Sequence, residues 1–271
     1  MPLISVIIPS FNMKEHLSSS IASALNAGVR DIEVIVVDDG STDGTECVVT
    51  KYTDRYNENY DSRVCYLYQE NQGKSSAVNY GLKKSGGAYV TILDADDQLT
   101  PSSLKARYEC RFDNDGCLFD LVIGGFQVFD DSQTYGTRLP PDPATPSDLY
   151  DRFYLRWRTP FHLNAALISK RLIKEVGGLD ETLHRCIDGD YALRLLKNAE
   201  TLNIVNDVVY RYRKYRSSVF NRMRYRLKTA RYRPKVVWKN YDGWRRWAAV
   251  PFGIAMDTGK LFYELVANYK S

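Results

Sequence analysis

Four apolar segments constrain this chain more than any other feature. Each breaks off in a polar cluster, and helical patterns separate them. They read ISVIIPSFN, IEVIVVDDGSTDGT, RVCYLYQENQG and AYVTILDADD. Continuous apolar runs of this length suit strands covered on both faces. Pro9 is expected to stop the first. Between the runs, KEHLSSSIASALNAG puts Leu17, Ile21, Ala24 and Leu25 on one helical face, with Gly28 near its end. KSSAVNYGLKKSG reads as another helix, ending at Gly86. Strand and helix alternating at this pace imply right-handed crossovers and a mostly parallel sheet flanked by helices, an α/β fold.

Parallel α/β sheets hold ligands at the carboxyl ends of their strands. Here those ends are Pro9-Ser10-Phe11-Asn12, Asp38-Asp39-Gly40, Glu70-Asn71-Gln72-Gly73 and Asp94-Ala95-Asp96-Asp97. All four are polar and two are carboxylate clusters, so they are expected to line one crevice. The pattern loosens after Pro101. FDLVIGGFQVFDD reads as a strand pair or one long strand, and RLPPDPATPSDLYDRF as a Pro-rich loop over the site. PFHLNAALISKRLIKEVGGLDETL reads as strand, helix and Gly-Gly turn. IDGDYALRLLKNA is a helix that begins in acid, and LNIVNDVVYRYRKY alternates like a strand.

Like charges this close repel and resist desolvation, so Asp94, Asp96 and Asp97 need an explanation. A pair of aspartates at a strand end can hold Mg²⁺ or Mn²⁺, because hard cations prefer oxygen ligands. Such an ion relieves the repulsion and can bridge to a diphosphate. The plainer reading is a solvated acidic turn capping the helix that starts near Pro101.

Composition adds bounds. The 271 residues suffice for one large domain, or one with an appendage, and 44% hydrophobic with 26% charged is ordinary for a folded chain. No apolar run is long enough to span a bilayer, and no secretory signal is read at the N-terminus. Cys47, Cys65, Cys110, Cys117 and Cys186 are scattered and odd in number, which suits a reduced compartment. The net charge of +4 is unevenly spread, because from Arg211 to Trp247 the only acid is Asp242.

Six stretches together resemble the family 2 glycosyltransferases, which have the GT-A fold: SVIIPSFN, VIVVDDGSTDGT, ENQGKSSAVNYGL, ILDADD, KEVGGLDETL and DGDYALRLL. They stand in the family's order and cover residues 3 to about 219. The resemblance implies inverting transfer of a sugar from a nucleotide-sugar donor, usually UDP-linked, to a saccharide or lipid-linked acceptor. It matches Pro9, Phe11 and Asn12 to the first donor-binding loop, and Asp39 to the acid that reads uracil N3–H. Core packing is the other reading of Phe11. Asp38 is divided between donor binding and helix capping. Asn71, Gly73 and Asn79 match a further donor-side element, where Lys74 approaches the phosphates. In DADD, Asp94 is expected beside the ribose or the metal. Asp96 is the first choice as metal ligand, and Asp97 is able to replace it.

Inverting transfer needs a carboxylate to take the acceptor proton. The family pattern, counted back from Arg194, lands on Asp188 as general base and on Asp190, which orients the loop or the acceptor. A plain N-cap is the other reading of Asp188. The chain departs from the pattern twice: Ile187 stands where the family has Glu, and Tyr215, after Tyr212 and Arg213, stands where it often has a metal- or phosphate-contacting His. Lys214 or Arg216 is a candidate to neutralise diphosphate instead. His162 either faces the acceptor or is structural, and Trp157 either stacks on a sugar or packs in the core.

These features divide the chain into a catalytic domain over 1–216 and a basic, aromatic extension over 217–271. The extension suits an anionic membrane surface, a second copy of the chain, or packing on the catalytic body. Nucleic acid fits its composition, but nothing else supports it. GKLFYELVANYK, within it, reads as a short amphipathic helix. The expected location is cytoplasmic, peripheral at the inner face of a membrane. A catalytically degenerate nucleotide-sugar-binding protein is the alternative. A phosphatase with an aspartate nucleophile is disfavoured, because LDADD lacks the following Gly-Thr.

Overall fold

The structure is a computed structural model. It describes residues 3–56, 63–113, 115–141, 145–156, 161–215, 229 and 232–243. In chain order the elements are β1 (Ile4–Ser10), α1 (Lys14–Leu25), β2 (Ile32–Asp39), α2 (Thr45–Tyr56), β3 (Arg63–Gln69), α3 (Lys74–Lys84) and β4 (Tyr89–Ile92). There follow β5 (Gln98–Leu99), α4 (Ser103–Glu109), β6 (Leu121–Phe129), β7 (Thr134–Arg138), α5 (Pro146–Arg156), β8 (Ala166–Ser169), α6 (Lys170–Val176), α7 (Ile187–Asn198) and β9 (Leu202–Arg213). Residues 232–240 are also helical.

One sheet runs β3-β2-β1-β4-β8-β6-β9-β5, with β7 paired to β6. The first four strands are parallel, and every antiparallel pairing involves a strand that follows β4 in the chain. The period of two in each strand divides the core between the faces. Ile4, Val6 and Ile8 join Leu17, Ile21 and Ala24 of α1 on one side. Ile7, Ile35 and Val37 join Ala77, Val78 and Leu82 of α3 on the other. Strand β1 runs through Pro9, which pairs with Val37, and ends at Ser10 rather than at the proline. FDLVIGGFQVFDD forms one long strand whose register shifts at Gly124 and Gly125.

The Pro-rich segment is only partly a loop, since α5 occupies Pro146–Arg156. Its N-terminus is capped reciprocally: Thr145 N donates to Asp148 Oδ2 at 2.9 Å, and Asp148 N donates to Thr145 Oγ1 at 3.1 Å. With proline at the first helical position, this is a capping box. The helix at 232–240 lies inside the segment read as an extension. Its Val236 and Val237, with Tyr241, pack on Leu183 and on Leu193 of α7. The rest of 217–271, Arg216 and Trp157 lie outside the described residues. No helix among the described residues is long and apolar enough to cross a membrane, and all five cysteines are free thiols.

Candidate active site

The carboxyl ends of β1, β2 and the loop after β3 are tied together by side chains binding backbone. Asp39 is buried. Its Oδ1 accepts from Gln69 Nε2 at 2.7 Å and Gln72 N at 2.8 Å, and its Oδ2 from Gly73 N at 2.8 Å. Asp38 is equally buried; it accepts from Ser41 N and from the Tyr66 hydroxyl, both at 2.8 Å. Asp38 therefore fastens the turn after β2 rather than capping a helix. Burial first, and Asp38 next, push the Tyr66 phenol far above its ordinary pKa. Asn12, in the left-handed region at φ 53°, joins β1 to that turn: its N–H donates to Ser41 Oγ and its Oδ1 accepts from Thr42 N, each at 2.9 Å. Phe11 is 46% exposed at the end of β1, which excludes core packing. Asn71 is exposed and packs close against Gly40. Asp39, Asn71 and Gly73 thus form one frame with the end of β1.

After β4 the three carboxylates converge, with ligand atoms all within 4.8 Å of one another. They are not equivalent. Asp97 is buried, accepting from the Tyr210 hydroxyl and from Arg213 N at 2.5 Å, so β9 already engages both its oxygens. Burial, then the charge of Asp94, push its pKa up to about 8. Asp94 and Asp96 are only partly buried. The Lys74 ammonium lies 2.8 and 3.0 Å from the two oxygens of Asp94 and 3.7 Å from Asp188 Oδ1. Burial alone would lower the pKa of Lys74, but Asp188 and Asp94 outweigh it and raise it. Burial likewise resists ionisation of Asp94, and Lys74 overrides it, so that carboxyl is held below its usual range. Lys74 opens α3, where the helix dipole disfavours a cation; the acids hold it there.

Tyr215, in the position where the family often has His, hydrogen-bonds Asp96. Burial and the Asp96 charge raise its phenol well above the ordinary value. Arg213 Nε donates to the Asp96 carbonyl at 2.9 Å, and the same guanidinium pairs with Asp131. The Lys214 ammonium sits 4.1 Å from the Tyr135 ring centroid on β7.

The acids of α7 separate sharply. Asp188 is not the N-cap, a position taken by Cys186 at φ 59°. Its side chain is 43% exposed overall, with Oδ1 inside and without a hydrogen-bond partner. Asp190 is fully buried. It accepts from Arg194 Nε and Asn240 Nδ2, both at 2.9 Å, and from Lys239 Nζ at 3.3 Å. Of the roles read for it, the orienting of its own segment fits, because both its oxygens are already engaged by Arg194, Asn240 and Lys239. Asn79 also needs correction as a donor contact. Its Oδ1 accepts from Leu179 N at 2.7 Å, and its Nδ2 donates to Leu179 O at 2.9 Å and Glu181 Oε1 at 2.7 Å. It clamps the Gly-Gly turn ahead of α7, where a Cβ on Gly178 would lie 2.3 Å from Asn79 Oδ1.

His162 lies against Phe126, Tyr210 and Tyr212, with ring centroids 5.2, 4.7 and 5.5 Å away. Burial lowers its pKa, opposed by Asp188 and Asp94. Tyr210 and Asn164, which meet at 3.0 Å, were missed in the sequence. The signal for Tyr210 was the two-residue alternation of β9, which places it on the same face as Tyr212. Asn164 carries no such signal.

Comparison with known proteins fits this arrangement. The family described as Glycosyl transferase family 2 matches residues 5–177, and the chain belongs to that family. An uncharacterized glycosyltransferase of Rickettsia typhi is 31% identical over 199 residues, 72% of this chain and 59% of that protein. The chain thus spans less than two thirds of that relative. Among solved structures, TarS 1-349 of S. aureus in complex with UDP-GlcNAc superposes with a TM-score of 0.63 at 18% identity. The match covers 96% of this chain and 70% of that one. A mannosyltransferase from Pyrobaculum calidifontis in complex with GDP-Man and Mn²⁺ gives 0.61 at 21% identity, covering 98% and 76%. These likenesses establish the fold, GT-A.

Proposed function

We propose that the protein is a metal-dependent, inverting glycosyltransferase that moves a sugar from a nucleotide-sugar donor, UDP-linked by preference, to a hydroxyl of a saccharide or lipid-linked acceptor. The observation that carries this reading is the Lys74 bridge, 2.8 Å from Asp94 on the donor side and 3.7 Å from Asp188 on α7. The pairing joins a phosphate-binding end and a proton-accepting end in one site. An all-carboxylate donor set fits Mg²⁺ or Mn²⁺. Asp96 would hold the ion, joined by Asp94 once Lys74, now 2.8 and 3.0 Å from the two Asp94 oxygens, turns to the phosphates; Asp97, already engaged by β9, fixes the turn that presents them. When bound, the ion supplies positive charge to the diphosphate as it leaves.

The frame of Pro9, Phe11, Asn12, Asp39, Asn71 and Gly73 receives the nucleoside, and Asp38 and Asn79 hold that frame and the turn before α7. Lys74 meets charge that gathers on the phosphates. The acceptor oxygen bonds to the anomeric carbon from the side opposite the diphosphate. As the bond from that carbon to the phosphate oxygen breaks, the acceptor proton passes to Asp188. Titrating UDP with Mn²⁺ and then with excess chelator tests this. UDP is expected to bind far more weakly under chelation, and Asp96→Ala to lose the metal-dependent part with its fold intact. Full turnover in excess chelator overturns the metal role. Donor hydrolysis in Mn²⁺ separates the enzyme from the alternative, a protein that binds nucleotide sugars without turnover.

The basic segment 217–271 is proposed to meet anionic lipid. Cutting the chain after Ser218 is not a clean test, since Val236, Val237 and Tyr241 cover Leu183 and Leu193. Replacing Arg222, Arg224 and Arg226 with Gln is cleaner. Sedimentation with anionic vesicles is expected to weaken, as it is in high salt; unchanged sedimentation rules the lipid role out.

A further inference from the structure

Buried polar atoms are almost always hydrogen-bonded, and a native exception calls for a ligand or a water. Among the described residues eight side-chain atoms are buried without such a partner, and three of them are Asp188 Oδ1, His162 Nδ1 and Asn164 Oδ1. These three lie in one neighbourhood. His162 feels the charges of both Asp188 and Asp94, the Asn164 side chain interacts with Asp94, and Lys74 joins Asp94 to Asp188. Asn164 is wholly buried, so its orphan oxygen is not satisfied from bulk solvent.

Beside these atoms stands an aromatic wall. Phe126 and Tyr212 approach the His162 ring at 5.2 and 5.5 Å, and Tyr212 keeps 40% of its surface exposed. Each of the three residues has a separate reason to be here. Phe126 and Tyr212 project from the paired strands β6 and β9, and His162 enters from the segment leading into β8. A pyranose ring has complementary chemistry: its C–H groups give an apolar face, and its hydroxyls form a polar rim. Aromatic faces with a few aimed polar atoms form such sites.

We propose that His162, Phe126 and Tyr212 form the acceptor subsite. A pyranose ring lies against Phe126 and Tyr212, and His162 Nδ1 bonds a hydroxyl next to the one that Asp188 deprotonates. The assignment rests on the glycosyltransferase reading above and deepens it. Burial favours the neutral imidazole, which offers one donor and one acceptor, as a sugar hydroxyl requires. His162 and Tyr212 then determine which ring, and which of its hydroxyls, reaches the base.

Saturation-transfer NMR tests this without turnover. The probes are the methyl pyranosides of glucose, galactose, mannose and N-acetylglucosamine, with UDP and Mn²⁺ present. The wild-type protein is expected to bind at least one, with transfer strongest at the C–H protons of one ring face. Tyr212→Ala and His162→Ala are expected to weaken that binding at least about fivefold, with UDP affinity within about twofold of wild type. His162→Gln, which keeps a hydrogen-bonding group, is expected to restore part of the loss. Melting curves check that each variant folds, and Tyr212→Ser serves if Tyr212→Ala does not. Wild-type protein that binds UDP but none of the pyranosides overturns the subsite, as do variants that bind them normally. Failure of the wild type to bind UDP strikes the donor reading itself.

Discussion

The two halves of this molecule build their parts of the site by different means. In the half proposed to take the donor, residues 4–92, each loop follows its own strand and is secured by residues of the same half. Asp39 holds the backbone of Gln72 and Gly73, and Asn12 holds that of Thr42. In the half proposed to take the acceptor, the site is assembled from afar. Asp190 is held by Lys239 and Asn240, Asp97 by Tyr210 and Arg213, and the turn before α7 by Asn79. Both halves keep orphan atoms, Ser10 Oγ and Ser75 Oγ in the first and Asp188 Oδ1, His162 Nδ1 and Asn164 Oδ1 in the second, but those of the second half gather in one neighbourhood. A preassembled frame suits a constant ligand such as a nucleotide. Unspent hydrogen-bonding capacity suits a site whose partner supplies the remainder.

The largest expected effect separates the two acids of α7. Asp188→Asn keeps the size of the side chain but cannot take a proton, and loss of a positioned base costs about 10²–10⁴ in rate. UDP affinity and melting temperature should barely move. Transfer rate, UDP affinity and thermal unfolding measured together check this. A near-normal rate would remove Asp188 from the chemistry and leave the acceptor half without a base.

Asp190→Asn should act in the opposite manner. It takes the charge from beneath Arg194 and Lys239, which are 17% and 41% exposed, so water screens much of the penalty. Loss of the buried hydrogen bonds still costs roughly 1–3 kcal/mol, visible as a lower denaturation midpoint. Transfer should fall only as far as α7 shifts. Lost catalysis at full stability would place Asp190 in the chemistry after all.

How much of this was legible in the sequence follows the same division. In the first half, strand, loop and helix are contiguous, so apolar runs and their polar ends revealed the parallel strands and the polar ends that meet beside them, though not the order of the strands in the sheet. In the second half the deciding contacts join residues far apart in the chain, as between Asp190 and Asn240, 50 positions apart, and spacing along the chain does not register them. Asn79 was misread because a motif gives a residue's position but not its partner. The helix α5 was missed because its prolines outweighed the Thr145–Asp148 capping box, a signal that was present. The docking of 232–240 was open as one of several roles for a basic segment, since the buried Val236 and Val237 are outnumbered by cations around them.

Gly178→Ala probes the long-range clamp at smaller cost. The added Cβ would meet Asn79 Oδ1 at 2.3 Å, and the turn must move or Asn79 must turn away. Overpacking of this kind costs about 1–3 kcal/mol. The distinctive expectation is that transfer slows while UDP affinity stays, because the turn leads into α7 and not into the nucleotide frame. A drop in UDP affinity instead would return Asn79 to the donor side.

The smallest effect is expected within the donor frame itself. Tyr66→Phe removes the hydroxyl that donates to Asp38 Oδ2 at 2.8 Å. Asp38 Oδ1 keeps its bond from Ser41 N, so the turn after β2 retains one of its two fastenings. A single hydrogen bond of this sort is worth about 0.5–1.5 kcal/mol, and Tyr66 is only partly buried, so water can reach the vacated position. Asp39, the separate acid that holds Gly73, is untouched. Thermal unfolding should shift slightly, and UDP affinity should stay within about twofold. If UDP affinity instead collapses, the donor frame depends on one remote hydroxyl as heavily as α7 depends on Lys239 and Asn240. The turn after β2 would then rest on a single fastening, and the contrast between a multiply fastened nucleotide frame and a remotely assembled second half would fail.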